Sequence, residues 1–249
     1  MRKKISQITD NERVIFYVAG YKPGYIEKAM TLGLKNIILC LEDGTPENKK
    51  IEARSLVKRA LSEFKDLDLN LIVRINSVYT DHWKADFEAL LENRPTRIRI
   101  PMVNKAEDLL EIDEYWRFIS KESDDDYKPL YEIMIESKEG LNNLERIYQC
   151  SDNIYAFTLG GGDYYDDVKL NSDDPQKEVL FAKQKICQFC NENSLYSFDT
   201  TFMKYKDLEG YRNDCEFSRN LGFTGRSIIH PDQIKIGLEV YSERKGTYV

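Results

Sequence analysis

A chain of 249 residues with a formal net charge of −7 and 32% charged residues reads as a soluble globular protein about the size of one (β/α)8 domain. The acidic balance argues against nonspecific binding to nucleic acid or to an anionic membrane, and no apolar run approaches the roughly 20 residues of a membrane span. Cys40, Cys150, Cys187, Cys190 and Cys215 are an odd, scattered set, which fits reduced thiols and not a disulfide scaffold. The basic start, Met1 to Lys4, precedes a short apolar run, Val14 to Ala19, with no cleavage pattern. That run reads as a strand, and the expected location is cytoplasmic.

From Val14 onward a short apolar run, a break and an amphipathic segment recur. Strands are predicted at 14–19, 36–41, 70–75, 97–101, 129–135, 153–159, 195–199 and 224–229. Helices are predicted at 24–33, 50–65, 82–92, 105–121, 138–149, 175–193, 206–220 and 231–243. In the second helix Ala53, Leu56, Val57, Ala60, Leu61 and Phe64 fall on one face. In the third, Trp83, Phe87, Leu90 and Leu91 do the same. The sixth opens with Asp174 as N-cap and Pro175 at its first position. The CxxC of Cys187 and Cys190 lies inside that helix, without a partner pair or a nearby His, and reads as two packing thiols. Regular alternation predicts an α/β fold, a (β/α)8 TIM barrel with one domain over 1–249. A doubly wound open sheet is the alternative.

In a parallel barrel the chemistry sits at the C-terminal ends of the strands. Those ends carry Glu42 and Asp43, then Arg74 and Asn76, Pro101, Glu136, Asp163, Asp199 and His230. Any one could be a cap or an ion-pair partner; their recurrence on one face is what points to a site. The central stretch runs from Tyr131 to Asp167. One strand there ends in Glu136 and the next in Gly160-Gly161-Gly162-Asp163. Two ionised carboxylates about 4 Å apart repel by about 4 kcal/mol at an effective dielectric near 20, a cost that a divalent cation would reverse. The glycines let the backbone approach a ligand closely.

Other carboxylates read differently. Asp124, Asp125 and Asp126 fall in a helix-to-strand loop on the opposite face, as a solvated run. Asp166, Asp167, Asp173 and Asp174 read as cap or lid residues. Glu132 shares strand parity with Glu136 and needs a cation inside the barrel, for which Arg97 or Arg99 is the candidate. Only two histidines are present, His82 and His230. His82 opens a helix and reads as a surface residue. With no GxSxG, Walker A, HExxH or paired CxxC, a zinc site or a Ser-His-Asp triad is disfavoured. All-carboxylate ligands favour a hard cation such as Mg²⁺.

From about Arg13 to Gln233 the chain resembles the citrate lyase β-subunit and malyl-CoA lyase family of TIM-barrel carbon–carbon lyases. Arg13 with FYVAGYKPGYIEKA is similar to R-S-x-L-F-V-P-G-x-x-P. CLEDGTPENKKIEAR resembles D-L-E-D-x-V-P followed by K and A-R, matched by Lys50 and Arg54. LIVRIN is similar to V-R-V-N, IESKEG to I-E-T-A-x-G, LGGGD to G-x-E-D, and LGFTGRSIIHPDQI to G-F-x-G-K-x-x-I-H-P-x-Q. Six motifs occur in the family's order.

The resemblance implies Glu136 and Asp163 as Mg²⁺ ligands. It implies Arg74 as the arginine that polarises the substrate carbonyl and stabilises an enolate oxygen, with Glu42 and Asp43 near the metal's water shell. Arg13 and Gly160, Gly161 and Gly162 are implied as substrate-binding positions. The implied chemistry is a reversible aldol or Claisen-type cleavage on a 2-oxo acid through a metal-stabilised enolate. The implied partners are an oxo acid or acyl thioester, with CoA or an acyl carrier, and the implied assembly is a homo-oligomer, a trimer or hexamer.

Departures from the pattern are Ala19 for proline, Cys40 for the first acid of D-L-E-D, Met102 for a lysine, Gly162 for glutamate and Arg226 for lysine. The sequence ends at Val249, soon after His230, so the C-terminal lid of CoA-using relatives is expected to be missing. That leaves the acid/base group open, with Asp199 an in-chain candidate and strand capping its other role. A stand-alone lyase of the stress-resistance branch is compatible with this length. A non-catalytic paralogue that binds a metal–oxo-acid complex, or a subunit of a larger lyase complex, is the alternative function.

Overall fold

The structure is a computed structural model and describes residues 8–121 and 127–242. Eight strands, β1 (Val14–Ala19), β2 (Asn36–Cys40), β3 (Asn70–Arg74), β4 (Arg97–Ile100), β5 (Leu130–Ile135), β6 (Ile154–Leu159), β7 (Tyr196–Asp199) and β8 (Gly225–Ile228), run parallel in chain order. β1 pairs with β8 through Val14–Arg226, Ile15–Ser227 and Phe16–Ile228, so the sheet closes. The open-sheet alternative is excluded. Helices α1 (Pro23–Ala29), α2 (Lys50–Glu63), α3 (Trp83–Leu90), α4 (Ala106–Ile119), α5 (Lys138–Asn142), α6 (Leu144–Cys150), α7 (Gly161–Val168), α8 (Pro175–Glu192), α9 (Leu208–Leu221) and α10 (Asp232–Ser242) connect the strands. None among the described residues is long and apolar enough to cross a membrane.

Period-two alternation decides what each strand residue does. On β1, Val14, Phe16 and Val18 join the large core between sheet and helices. Ile15 and Tyr17 instead face the lumen, where Ile15, Ile38, Ile72, Ala156 and Phe198 form a separate plug. The helices present the faces their periodicity predicts: α2 buries Ala53, Val57, Ala60 and Leu61. α8 starts at Pro175, with Asp174 accepting from the Lys177 N–H, and buries Cys187 and Cys190 as free thiols.

Two predicted segments differ. The helix expected at 138–149 is two helices. Ser137 caps α5 by accepting the Gly140 N–H at 3.0 Å. Asn143 ends it, its side chain donating to the Asn104 carbonyl at 2.8 Å. Gly140 fits here because a Cβ would overlap the Val103 carbonyl. The second difference is the segment after Gly160, where no helix is predicted and helix α7 forms. The acidic run Asp124 to Asp126 and the basic start Met1 to Lys4 lie outside the described residues.

Beside the apolar plug, in register with Ala156, Glu132 is fully buried between two guanidiniums. Arg97 Nε donates to its Oε1 at 2.7 Å and Arg99 Nε to its Oε2 at 2.8 Å. Burial alone would raise this carboxyl's pKa; Arg99 and then Arg97 outweigh it and hold the group below its ordinary value. Both candidate partners are therefore used. Glu132→Gln keeps the volume but leaves two buried cations without a counter-charge. Urea unfolding should show a loss of about 3 kcal/mol; a loss under about 1 kcal/mol would show the triad to be dispensable.

Candidate active site

A cavity of about 540 Å³ opens at the C-terminal ends of the strands, and every strand or its following loop contributes to its lining. Its centre is Arg74, at the end of β3 and 6% exposed. The Arg74 Nη2 atom lies 2.5 Å from Glu42 Oε2, 3.1 Å from Asp43 Oδ2 and 3.4 Å from Glu136 Oε1. Glu136 directly follows β5 and is 1% exposed. Its other oxygen accepts the Met102 N–H at 2.7 Å. Met102 takes φ of +54° to aim that N–H, a conformation that costs a non-glycine residue energy. The position where a family lysine was missed thus acts through its backbone.

Gly160 makes room for the same carboxylate, since a Cβ there would overlap the Glu136 carboxyl. Gly160 precedes α7, and Asp163 is that helix's third residue, exposed at the cavity wall. A carboxylate in the first turn also suits the positive end of a helix.

Charge does not balance here. Glu42, Asp43 and Glu136 hold one guanidinium and Asp163 stands on the cavity wall, while the other cavity cation, Arg99, is already paired with Glu132. Burial pushes Glu136 up to about 7; Arg74 opposes this and Asp163 adds to it. Glu42 is also pushed up to about 7 by burial, with Arg74 opposing and Asp43 and Glu136 adding to the rise. A pocket of hard oxygen donors with excess negative charge fits a divalent cation. Among the described residues no set of three or more His, Cys, Asp or Glu side chains forms a ready cage. Glu136 and Asp163 are the pair that would share an ion, which suits one that keeps much of its own water, as Mg²⁺ does.

A buried polar network holds the two loops behind Arg74 and Glu42. Lys50 Nζ donates to the Leu41 and Glu42 carbonyls at 2.8 and 3.0 Å and to Asn76 Oδ1 at 2.6 Å. Asn76 donates its backbone and side-chain N–H groups to Asp86 Oδ2 at 2.8 and 2.6 Å. Asp86, fully buried, takes Arg54 Nε on its other oxygen at 2.7 Å. Arg54 also meets His82, whose far nitrogen lies 2.7 Å from Glu47. His82 is therefore tied into this network and not a free surface residue. Sequence reasoning missed Asp86. The available signal was Lys50 and Arg54, four apart on one helix face and in need of an acid.

The remaining expected residues separate. Arg13 precedes β1 at the opposite end of the barrel, where it bonds Asp10 Oδ1 and the Thr224 carbonyl, each at 3.2 Å; it is not brought to the cavity. The Gly160 N–H goes to the Ile135 carbonyl at 3.0 Å and the Gly161 N–H to Thr200 Oγ1 at 3.1 Å. Two of the three glycine N–H groups are thus used internally, and Gly162 faces open space. Asp199 lines the cavity but is held by Lys183 at 2.8 Å and by the Thr200 N–H at 2.8 Å. His230 stacks on Tyr205 with centroids 4.5 Å apart, and Gln233 Oε1 accepts its N–H at 3.1 Å. Asp167 accepts the Lys138 N–H at 2.8 Å, the cap role expected of it, and Asp166 pairs with Lys169 at 2.7 Å.

Comparison with known proteins places this geometry. The profile of the HpcH/HpaI aldolase/citrate lyase family matches residues 13–231. Citrate lyase subunit beta of Leuconostoc mesenteroides subsp. cremoris is 30% identical over 231 residues, covering 92% of this chain and 76% of the relative. Mitochondrial citramalyl-CoA lyase of Rattus norvegicus is 27% identical over 242 residues, covering 92% and 71%. The citrate lyase beta subunit of Mycobacterium tuberculosis, solved with oxaloacetate and magnesium, superposes with a TM-score of 0.78 at 20% identity, covering 94% of this chain and 99% of that one. At that identity the last likeness speaks to the fold.

The raised carboxyls make stability depend on pH with a definite sign. Folded Glu136 keeps its proton up to about 7, whereas its ordinary value is 4.5. The folded state therefore binds more protons between those values, and stability without metal falls as pH climbs through that window. The shift corresponds to roughly 3 kcal/mol. In EDTA, Glu136→Gln should match wild type near pH 4.5 and be more stable by up to about that amount at pH 8, read by denaturant unfolding. A variant less stable than wild type at pH 8 would contradict the assigned repulsion.

Proposed function

The chain belongs to the HpcH/HpaI aldolase/citrate lyase family, and its named relatives are carbon–carbon lyases; on that premise we propose a Mg²⁺-dependent lyase that makes or breaks the carbon–carbon bond of a 2-oxo-acid-derived substrate. The observation that carries this reading is the buried Arg74 held by Glu42, Asp43 and Glu136, with Asp163 on the cavity wall and with Glu42 and Glu136 pushed up to about 7. Glu136 and Asp163 would hold the ion. When bound, it supplies a Lewis acid for the oxygens of the oxo acid.

The chain's own residues do the rest. Arg74 offers a fixed positive charge to the oxygen on which negative charge grows, in a site already stripped of bulk water. Glu42 and Asp43 clamp its Nη2 and set its direction. The Met102 N–H and the space left by Gly160 fix the orientation of Glu136. Gly162 leaves the wall beside Asp163 open to a small acid. The Lys50–Asn76–Asp86–Arg54 network keeps both loops rigid, which electrostatic catalysis needs because charges that relax contribute little. A cavity of about 540 Å³ has room for a small acid and part of an acyl thioester.

Calorimetry of Mg²⁺ with oxalate, which mimics an enolised 2-oxo acid, is the test. Wild type should bind oxalate only with Mg²⁺ present. Glu136→Gln and Asp163→Asn should each weaken that binding by about 100-fold or more. Folded wild-type protein with no Mg²⁺-dependent binding would remove the enzymatic assignment of this site and favour a binding module.

A further inference from the structure

The carboxylates at the cavity mouth are committed to Arg74 or to a cation, and Asp199 is tied to Lys183. Each of them already has a partner or a place in the proposed metal site. The floor offers a different group. Tyr17 points from β1 into the lumen, above the plug formed by Ile15, Ile38, Ile72, Ala156 and Phe198, and lines the cavity. Its phenol oxygen accepts the Arg99 Nη1–H at 2.9 Å, and the Arg99 guanidinium lies 5.4 Å from its ring centroid. That is its only side-chain hydrogen bond among the described residues, and none of them accepts its own proton. Arg99 is itself immobile: Nη1 also donates to Ser227 Oγ at 2.8 Å and Nε to Glu132.

The same oxygen lies within electrostatic reach of Arg74. Arg74 lines the cavity with its Nε–H also unpartnered in a buried setting. Two unspent protons, Tyr17 O–H and Arg74 Nε–H, therefore belong to one cavity floor. We propose that Tyr17 is a catalytic residue, the in-chain acid that protonates the enolate carbon left by carbon–carbon cleavage. This rests on the lyase reading above.

The carbon–carbon bond breaks and its electron pair stays on the leaving carbon as an enolate, while the other fragment becomes a carbonyl and releases its hydroxyl proton to water. The Tyr17 O–H bond then breaks, its proton forms the new C–H bond, and the pair remains on the phenolate oxygen. Arg99 and Arg74 stabilise that phenolate until water entering from the open mouth returns a proton. Burial keeps the resting phenol neutral, with Arg99 and Arg74 only partly offsetting it, so the proton is in place at neutral pH.

Tyr17→Phe removes one oxygen and keeps the ring that covers the plug. The readout is deuterium uptake from D2O into the methyl group of pyruvate, and separately of acetyl-CoA, with Mg²⁺ present, followed by proton NMR. Wild type should exchange at least one of the two. Tyr17→Phe should exchange about 100-fold or more slowly, with Mg²⁺–oxalate affinity and the unfolding midpoint close to wild type. Tyr155→Phe, which deletes a phenol oxygen elsewhere in the barrel, should exchange like wild type. Intact Mg²⁺–oxalate binding with undiminished exchange in Tyr17→Phe would overturn the assignment of Tyr17, as would wild type that binds oxalate but exchanges neither probe. Loss of oxalate binding in wild type would instead overturn the metal site.

Discussion

One guanidinium among four carboxylates sets the terms for the C-terminal face of this barrel. Arg74 is deeply buried and always charged, so it needs counter-charge at close range. Glu42, Asp43 and Glu136 supply more than it can neutralise, and Asp163 stands on the adjoining wall. Burial, with the neighbouring carboxylates adding to it and Arg74 opposing, leaves two carboxyls that hold protons near neutral pH. A protein gains nothing in stability from such an arrangement. It makes sense as a socket for a cation, where stability is given up at a functional site and recovered on binding.

Such a socket needs a rigid frame, and the barrel supplies it in layers. The apolar plug closes the lumen, the Arg97–Glu132–Arg99 triad lies beside it, and Tyr17 and Ser227 are fixed to that triad through Arg99. Outside the lumen, Lys50, Asn76, Asp86 and Arg54 tie the loop after β2 to the loop after β3. At the far wall, Arg226 bonds the Thr200 carbonyl at 2.8 Å and Asp214 at 2.7 Å, and Thr200 takes the Gly161 N–H. Hydrogen bonds of this kind transmit position from the last strand to the first turn of α7, which carries Asp163.

The strand ends were readable because parallel strands buried on both faces are short apolar runs, and a polar residue at their C-terminal end stands out. Glu42, Arg74, Glu136 and Asp163 were all found that way; the last three line the cavity and Glu42 is paired with Arg74. What depends on side-chain direction was harder to read. Gly160 looked like a ligand contact and instead makes space for Glu136, because nothing in the sequence says which neighbour a missing Cβ accommodates. No helix was placed after Gly160, yet Gly161 and Gly162 open α7, where packing and the Thr200 contact outweigh low helix propensity. Asp86 was hidden because a buried acid on an amphipathic helix has the spacing of an exposed one. Arg13 was placed at the site through a motif, although its position before β1 puts it at the other end of the barrel.

The central claim is that negative charge at the cavity mouth exceeds what Arg74 neutralises and that a divalent cation takes up the excess. Proton release on Mg²⁺ binding tests this most directly, by calorimetry at pH 7 in two buffers of different ionisation enthalpy with oxalate held saturating. The account predicts release of about half a proton per ion from Glu136, which is half protonated at this pH, and a smaller release in Glu136→Gln. Binding with no proton release in wild type would contradict it, because the carboxyls would then already be ionised at pH 7.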